Sequence, residues 1–196
     1  MKRLFDFICS VMLLMLIALP LLLVSLLIKL TMPGPIFFIQ ERVGQYGKLF
    51  RLIKFRTMKV ADGKTKGSFD AGDSSRVTPV GSFLRKTKID ELPQLLNVLI
   101  GDMSLVGPRP EVKIWTDVYP EQWAIVHKVR PGITDEASIT FRNEEVILKN
   151  AQNPTDTYRN QILPQKLALY IQYVHNQSFL GDCKILIRTL GHVLFK

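Results

Sequence analysis

Hydrophobic residues are concentrated in one block near the start of the chain. Residues 7–28 are nearly all apolar, and the block is interrupted only by Cys9, Ser10, Pro20 and Ser25. As a helix, the block would be roughly 33 Å long, which is enough to cross the hydrocarbon core of a bilayer. It is too long for the core of a signal peptide and lacks a cleavage site of small residues. The pattern predicts a membrane helix, and the alternative is a buried helix of a soluble protein.

Basic residues flank this apolar block on both sides. Lys2 and Arg3 precede it, and residues 29–66 carry nine Lys and Arg residues against two acidic ones, in a chain of net charge +9. Because basic flanks tend to stay in the cytoplasm, both ends are expected on the same side of the membrane. Pro20 removes a helical hydrogen bond in mid-block and favours a bend there. We therefore predict a re-entrant helix bent at Pro20, with a kinked single pass as the alternative.

After a stiff turn at residues 31–35, the pattern changes to two short strands. Residues 36–43 and 49–58 have the composition of strands, and the glycine-containing segment between them indicates a hairpin. The alternation of side chains along a strand puts Lys54 and Arg56 on one face, where they can meet either a phosphate or water. The polar residues 59–77 then predict a long loop.

Two adjacent carboxylates, Asp90 and Glu91, come directly before an apolar helical run. Asp is a good N-cap and Pro93 fits only a first turn, so a helix is predicted from just after Asp90 to Ile100, where Gly101 ends it. The helix dipole would then favour the ionised form of Asp90. An ionised carboxylate among basic residues can act as a nucleophile, a metal ligand or both. The alternative is a helix cap in a surface cluster of salt bridges.

Two arginines are expected near these carboxylates. Arg85 ends a short helix that Thr78 and Pro79 open as N-cap and first helical residue. Arg109 lies between two prolines, so its backbone has little freedom, and a rigidly held guanidinium suits recognition of a phosphate. The alternative for Arg109 is that it closes a turn by bonding local carbonyls.

The second half of the chain is helical in pattern. Trp115, Tyr119 and Trp123 recur at helical spacing, which is typical of a core but also of the head-group level of a membrane. A last amphipathic helix is expected from Ser178 to about Phe195, with an apolar side that faces either the core or the membrane. The predicted fold is thus α+β and mostly helical, with a re-entrant N-terminal membrane helix, a small β-hairpin and amphipathic helices at the membrane surface.

Composition limits the classes of function. A chain of 196 residues can form one domain with a real core, here residues 32–196, after a membrane helix at residues 1–31. The basic block calls for an anionic partner, which could be nucleic acid, phospholipid or a phosphorylated substrate. Cys9 and Cys183 give neither a disulfide framework nor metal-ligand spacing, so a reducing compartment fits.

A series of motifs in this order resembles the small monotopic phosphoglycosyl transferases, also called bacterial sugar transferases. The resemblance covers nearly the whole chain, and the motifs that carry it are Gln40-Glu41-Arg42-Val43-Gly44, Lys54-Phe55-Arg56-Thr57-Met58, Arg76-Val77-Thr78, Asp90-Glu91-Leu92-Pro93-Gln94, Asn97-Val98-Leu99, residues 101–110 (GDMSLVGPRP) and residues 129–134 (VRPGIT). One such motif is weak, but the ordered series is specific.

The resemblance implies a reaction at the membrane. A UDP-sugar gives its sugar 1-phosphate to the aspartate of the Asp-Glu pair, UMP leaves, and polyprenyl (undecaprenyl) phosphate takes up the group as polyprenyl diphosphate sugar. The family requires Mg²⁺ and carries out the first membrane step of surface polysaccharide or glycoconjugate assembly. The expected location is the bacterial inner membrane, with the catalytic domain on its cytoplasmic face. The resemblance leaves open whether the protein forms a homo-oligomer, and no nucleic-acid partner is expected.

The resemblance also implies roles for individual residues. Asp90 corresponds to the nucleophile and a metal ligand, and Glu91 to its catalytic partner. Residues that match positions for substrate or phosphate are Arg85, Arg109, Lys54, Arg56 and Arg142. Asp182 matches an acidic position of open role. Two departures are Leu19 before the Pro20 kink, where some members have Ser, and residues 135–145, which differ from many members and leave the sugar undetermined.

Two other classes of function compete with this one. A membrane-tethered protein that binds anionic lipid or nucleic acid would not need Asp90 and Glu91, and its binding would fall steeply with salt. The chain has no nucleic-acid motif. A glycosidase would need carboxylates that flank a bond at roughly 5 Å or more, and adjacent residues are poorly placed for that.

Overall fold

One long helix opens the fold. The computed structural model describes residues 1–60 and 76–194, so the predicted loop at residues 59–77 lies largely outside the described residues. Helix α1 spans Lys2–Thr31 and continues through Pro20. Among the described residues it is the one helix long and apolar enough to cross a membrane.

Helix α1 has two apolar faces with different surroundings. One stripe packs along the rest of the chain, and its members follow helical spacing: Phe5, Cys9, Leu14, Ile17, Leu21, Val24 and Ile28. The opposite face is exposed over the whole helix, with Leu16, Leu19 and Leu30 each more than 60 % accessible. A soluble protein rarely exposes so much contiguous apolar surface.

Both ends of α1 are fixed to the same body of protein. At the N-terminal end, Lys2 forms an ion pair with the buried Asp182, 2.5 Å away, and Asp6 accepts a hydrogen bond of 2.8 Å from Ser104. At the C-terminal end, Ile28 and Met32 are buried in a core cluster. The helix therefore lies along this body from one end to the other.

A β-hairpin follows α1, as predicted. Strands β1 (Phe37–Val43) and β2 (Leu49–Phe55) pair antiparallel in full register. Strand β2 ends at Phe55, three residues earlier than expected, and Met58 instead forms a single bridge to Val77. Arg56 therefore lies beyond the strand and does not share a strand face with Lys54.

The central segment consists of two helices and a tight turn. Helix α2 (Pro79–Thr87) begins at the predicted cap, where the Thr78 side chain accepts a hydrogen bond from Gly81 N. The 3₁₀ turn Ile89–Glu91, here called the carboxylate turn, leads to helix α3 (Gln94–Ile100). Gly101 ends α3 with a φ of 105°, a left-handed conformation that glycine adopts without strain.

Helix α3 is tied to the hairpin through one buried amide. Asn97 is 1 % exposed, its Oδ1 accepts from Ile53 N at 3.1 Å, and its Nδ2 donates to Arg51 O at 2.7 Å. The amide thus replaces a neighbouring strand at the edge of β2, which leaves buried backbone groups satisfied. This link fixes the carboxylate turn against the hairpin that carries Lys54.

The remaining chain wraps around a second small sheet, which the sequence did not indicate. Strands β3 (Ser104–Val106) and β4 (Gly132–Thr134) pair in parallel. A Cβ on Gly132 would lie 2.1 Å from Gly107 N, so this close approach requires glycine. The helices of this part are α4 (Lys113–Thr116), α5 (Pro120–Val126), α6 (Glu136–Thr140), α7 (Glu144–Asn150), α8 (Pro154–Thr157), α9 (Leu163–His175) and α10 (Phe179–Leu194), with a π-helical turn (Tyr158–Ile162) before α9.

The aromatic stripe belongs to the core of this second part. Trp115 and Trp123 are 5 % and 2 % exposed and pack with Tyr158 and Tyr170. Of the two alternatives drawn from the sequence, the core position is therefore the one observed. The described residues as a whole are mostly helical with a small antiparallel hairpin, which confirms the coarse fold prediction.

Candidate functional site

The backbone before the two carboxylates turns sharply. Lys88 ends helix α2 in the left-handed region, with φ of 59°, and the carboxylate turn closes through a hydrogen bond from Glu91 N to Lys88 O. The prediction that Asp90 caps the following helix is wrong, because α3 begins only at Gln94 and Asp90 lies inside the turn. The left-handed residue starts a tight turn before the helix can begin.

Glu91 is held between two cations. Its Oε2 accepts from Arg109 Nη1 at 3.2 Å, its Oε1 accepts from Arg109 Nη2, and Lys54 Nζ is 3.1 Å from the same Oε1. Burial alone would raise the pKa of Glu91, but Arg109 and Lys54 hold it well below its ordinary value. Glu91 is thus a fixed anion that aligns the two cations.

Asp90 is buried next to Glu91 but lacks its partners. The residue is 8 % exposed, and its Oδ1 has no hydrogen-bond partner among the described residues. Burial raises the pKa of Asp90 to about 6, and the negative charge of Glu91 adds to the rise. The two carboxylates therefore differ: Glu91 is committed to Arg109 and Lys54, whereas Asp90 is ionised at neutral pH with a free oxygen.

A third cation lies beside the pair. The positive charge of Lys88 opposes the rise in the pKa of Asp90, so its ammonium group acts electrostatically on the carboxylate. Lys88 is exposed, and within the part of the chain described here no hydrogen bond or ion pair engages its Nζ. The sequence analysis did not assign Lys88 to the site, although its position two residues before Asp90 was a usable signal.

A buried network supports the segment that carries Arg109. Glu111 is 4 % exposed and accepts hydrogen bonds from Arg42 at 3.1 Å and from the Tyr158 hydroxyl at 2.5 Å, while Lys166 lies 3.7 Å away. Arg42 also donates to Pro110 O at 3.2 Å. Burial alone would raise the pKa of Glu111, but Lys166 and Arg42 lower it. These contacts hold the Arg109 segment against the end of strand β1.

The structure does not bring every predicted residue to the pair. Arg56 is buried, and its two terminal nitrogens donate to the carbonyls of Met32 and Pro33, where α1 ends. Arg85 bonds Thr57 and forms a half-exposed ion pair with Glu145 at 3.0 Å. Arg142 is exposed between α6 and α7. The four residues that do meet are Lys54, Asp90, Glu91 and Arg109.

Carboxylate oxygen is the ligand type that Mg²⁺ prefers, and Mg²⁺ commonly takes one or two carboxylates together with substrate phosphates. No group of three or more Asp, Glu, His or Cys side chains forms a cluster in the described ranges 1–60 and 76–194. Asp90 Oδ1, without a hydrogen-bond partner, nevertheless fits such a two-part arrangement. The side-chain amide Nε2 of Gln94, one helical turn further on, is also buried without a partner.

The chain is similar to known proteins over its whole length. The family model described as bacterial sugar transferase matches residues 1–196. A protein of Bacillus subtilis named uncharacterized sugar transferase EpsL is 41 % identical over 194 residues, which are 99 % of this chain and 87 % of EpsL. The UDP-glucose:undecaprenyl-phosphate glucose-1-phosphate transferase of Caulobacter vibrioides is 40 % identical over 197 residues, 98 % of this chain and 69 % of that protein.

A third relative differs in the sugar that its name states. The UDP-N-acetylgalactosamine-undecaprenyl-phosphate N-acetylgalactosaminephosphotransferase of Aeromonas hydrophila is 36 % identical over 196 residues, which cover 98 % of this chain and 43 % of that protein. The names of the two transferases share the UDP-linked donor and undecaprenyl phosphate and differ in the sugar.

Proposed function

The chain belongs to the bacterial sugar transferase family, and from this premise we propose that it transfers a sugar 1-phosphate from a UDP-sugar to undecaprenyl phosphate. The observation that carries the proposal is the unequal pair of carboxylates. A buried Asp90 with an unengaged oxygen stands next to a Glu91 that is fully occupied with Arg109 and Lys54. One carboxylate is free to react, and the other organises cations.

In the first step, Asp90 attacks the phosphorus that bears the sugar. A bond forms between a carboxylate oxygen of Asp90 and the sugar-bearing phosphorus. The bond from this phosphorus to the oxygen that bridges the two phosphorus atoms breaks, and UMP departs with that oxygen and the electron pair. Arg109, Lys54 and Lys88 stabilise the negative charge on the diphosphate. An anionic nucleophile can approach an anionic diphosphate only when such charges are close.

In the second step, a phosphate oxygen of undecaprenyl phosphate attacks the same phosphorus atom. The bond from phosphorus to Asp90 breaks, the carboxylate is restored, and the product is the undecaprenyl diphosphate sugar. The intermediate on Asp90 is an acyl phosphate, and its leaving group is the carboxylate. Each of the two displacements is therefore easier than one direct transfer between two anions. Asp90 and the substrate phosphates would hold Mg²⁺, and the ion would neutralise further charge.

We also propose that α1 enters and leaves the membrane on the cytoplasmic face of the inner membrane. Lys2 at one end and Met32 beyond the other end both contact the part of the chain that follows the helix. A straight pass would move these ends to opposite sides of the bilayer, roughly 30 Å apart. The exposed apolar face of α1 then lies in lipid, next to a membrane-bound acceptor.

A rival function is the membrane-tethered protein that binds anions without catalysis. Its basic residues would need to be exposed, yet Lys54 and Arg109 are ion-paired with a buried Glu91. The direct experiment is to incubate the purified protein with undecaprenyl phosphate, Mg²⁺ and a panel of UDP-sugars, and to measure UMP release. Release with one sugar that depends on the acceptor supports the proposal, and absence of UMP with every sugar contradicts it.

A further inference from the structure

An apolar cleft of about 240 Å³ lies between the middle of helix α1 and the start of helix α3. Ala18 and Leu21 of α1 form one wall, and Phe37 and Phe55 form another from the open end of the hairpin. The floor consists of Pro93 and Leu96, at the start of α3. The site chemistry described above does not use this cleft.

The lining of the cleft is unsuited to a sugar or a nucleotide. Its one hydroxyl, on Ser25, donates to Leu21 O at 2.7 Å and is therefore engaged within α1. Phe37 and Phe55 stack with their ring centroids 5.5 Å apart. A surface with stacked rings and aliphatic side chains, and with no free polar group to orient a ligand, favours an apolar chain.

The position of the cleft ties it to the carboxylate turn. Pro93 follows Asp90 by three residues, and Ile89 at the start of the turn packs against the cluster that contains Phe55. Glu91 in the carboxylate turn binds the cations Arg109 and Lys54, and Pro93, two residues later, lines the apolar cleft. A ligand that meets both needs an anionic head and an apolar chain.

The cleft is also continuous with the exposed apolar surface. Leu22 and Leu96, which line it, are 65 % and 38 % exposed, and Leu22 belongs to the exposed apolar surface of α1. A chain can thus enter from the side that we place in lipid. Among lipids with an anionic head, the acceptor of the proposed reaction is the one whose phosphate must reach Asp90.

We propose that this cleft binds the first isoprene units of the polyprenyl phosphate acceptor and so aligns its phosphate with the phosphorylated Asp90. The inference rests on the proposed function. It assigns the recognition of the acceptor's chain to Ala18, Leu21 and Leu96, which have no part in the chemical step. It also explains why a membrane helix packs directly against the catalytic part: α1 supplies one wall of the acceptor site.

The test fills the cleft from each wall and compares each change with a matched position. Ala18→Trp and Leu96→Trp add bulk inside the cleft, and Leu16→Trp and Ile100→Trp add the same side chain outside it on the same two helices. Leu16 and Ile100 are 78 % and 70 % exposed. All four proteins are assayed in nanodiscs with a series of polyprenyl phosphates, from geranyl phosphate to undecaprenyl phosphate.

We expect the two cleft variants to raise the KM for undecaprenyl phosphate at least about tenfold, since contacts with several CH₂ and CH₃ groups are lost. They should also lose the preference for long chains over geranyl phosphate, while the two control variants keep it. Formation of the phospho-sugar adduct without acceptor should be unchanged in all four. Unchanged KM values and chain-length preference in the cleft variants would overturn the proposal.

Three further outcomes are distinct. If the cleft variants lose adduct formation as strongly as transfer, the cleft shapes the carboxylate turn and does not select the acceptor, which also overturns the inference. If the unmodified protein forms no adduct and releases no UMP, the proposed function itself fails. Labelling of the cleft by a photoreactive phosphatidylglycerol but not by a photoreactive polyprenyl phosphate would assign it to bulk lipid instead.

Discussion

At the scale of single residues, two adjacent carboxylates are made different by their neighbours. Glu91 receives both Arg109 and Lys54, and Asp90 is left buried with one oxygen unengaged. The sequence placed both residues together and near cations, but it could not show which one the cations engage. That choice depends on the tight turn after Lys88, whose left-handed conformation nothing in the local composition predicts.

A substitution at Lys88 should change substrate binding and the free energy of unfolding in opposite directions. Its φ of 59° lies in the left-handed region, which glycine adopts without strain and Asn tolerates better than most other residues. Lys88→Gly should therefore stabilise the fold by about 0.5–1 kcal/mol. The same change removes a cation beside Asp90, so we expect the KM for the UDP-sugar to rise several-fold. Lys86→Gly, inside helix α2, should destabilise by about 1 kcal/mol and leave KM unchanged. Unfolding curves and initial rates measure both effects, and an unchanged KM in Lys88→Gly would remove Lys88 from the site.

Glu111 should contribute stability that depends on pH. Because its folded pKa lies below the ordinary value of 4.5, its charge stabilises the fold above about pH 4.5, and this contribution is lost as the pH falls through the folded pKa. Glu111→Gln should cost about 3 kcal/mol at pH 7, since Arg42 and Lys166 lose a buried counter-charge. Denaturation between pH 7 and pH 3 measures the difference from the unmodified protein. A difference that does not shrink as the pH falls below 4.5 would contradict the assigned role of the charge.

At the scale of elements, the local signals that succeeded were those with a steric cause. Thr78 and Pro79 predicted the start of α2, and Gly101 predicted the end of α3, because caps and left-handed residues act over a few positions. The parallel pair β3 and β4 was missed, since three-residue strands separated by two helices leave no periodic pattern. Gly107 and Gly132 are in close contact, and the two glycines are the only feature of the sequence that could have indicated this contact.

The contact between Gly107 and Gly132 yields a prediction for the stability of the segment that carries Arg109. Gly132→Ala should destabilise the protein by several kcal/mol, because the new methyl group would overlap Gly107 N at 2.1 Å and neither backbone can retreat. Gly47→Ala serves as a comparison: a methyl group there has open space, so only its left-handed φ of 74° resists, at about 1 kcal/mol. Thermal unfolding in detergent measures both, and equal losses would show that the approach of β3 to β4 is not tight.

Helix α1 predicts a topology that labelling can test. If it re-enters the membrane, a single cysteine inserted between Met1 and Lys2 and a single cysteine at Lys59, each in a background without Cys9 and Cys183, should both be protected from an impermeant thiol reagent added to intact cells. Both should react after the membrane is permeabilised. A cysteine at one end that reacts in intact cells while the other does not would show a single pass.

At the scale of the whole molecule, an apolar helix, a basic site and an apolar cleft meet around one turn. The coarse fold and the family followed from sequence, because the motifs occur in a fixed order over the whole chain. The assembly of the site did not: Arg56 was expected beside Lys54 but instead binds the carbonyls at the end of α1. Tertiary contacts decide which basic residues support the fold and which bind substrate. These contacts cannot be predicted from a single sequence.

The central claim is that Asp90 captures the phospho-sugar. The most direct measurement is to mix the protein with its UDP-sugar and Mg²⁺ without acceptor, quench in acid, and locate the added mass by peptide mass spectrometry. We expect one phospho-sugar on Asp90, its disappearance when undecaprenyl phosphate is added, and its absence in Asp90→Asn. An adduct on Glu91 or any other residue, or full turnover by Asp90→Asn, would contradict the account.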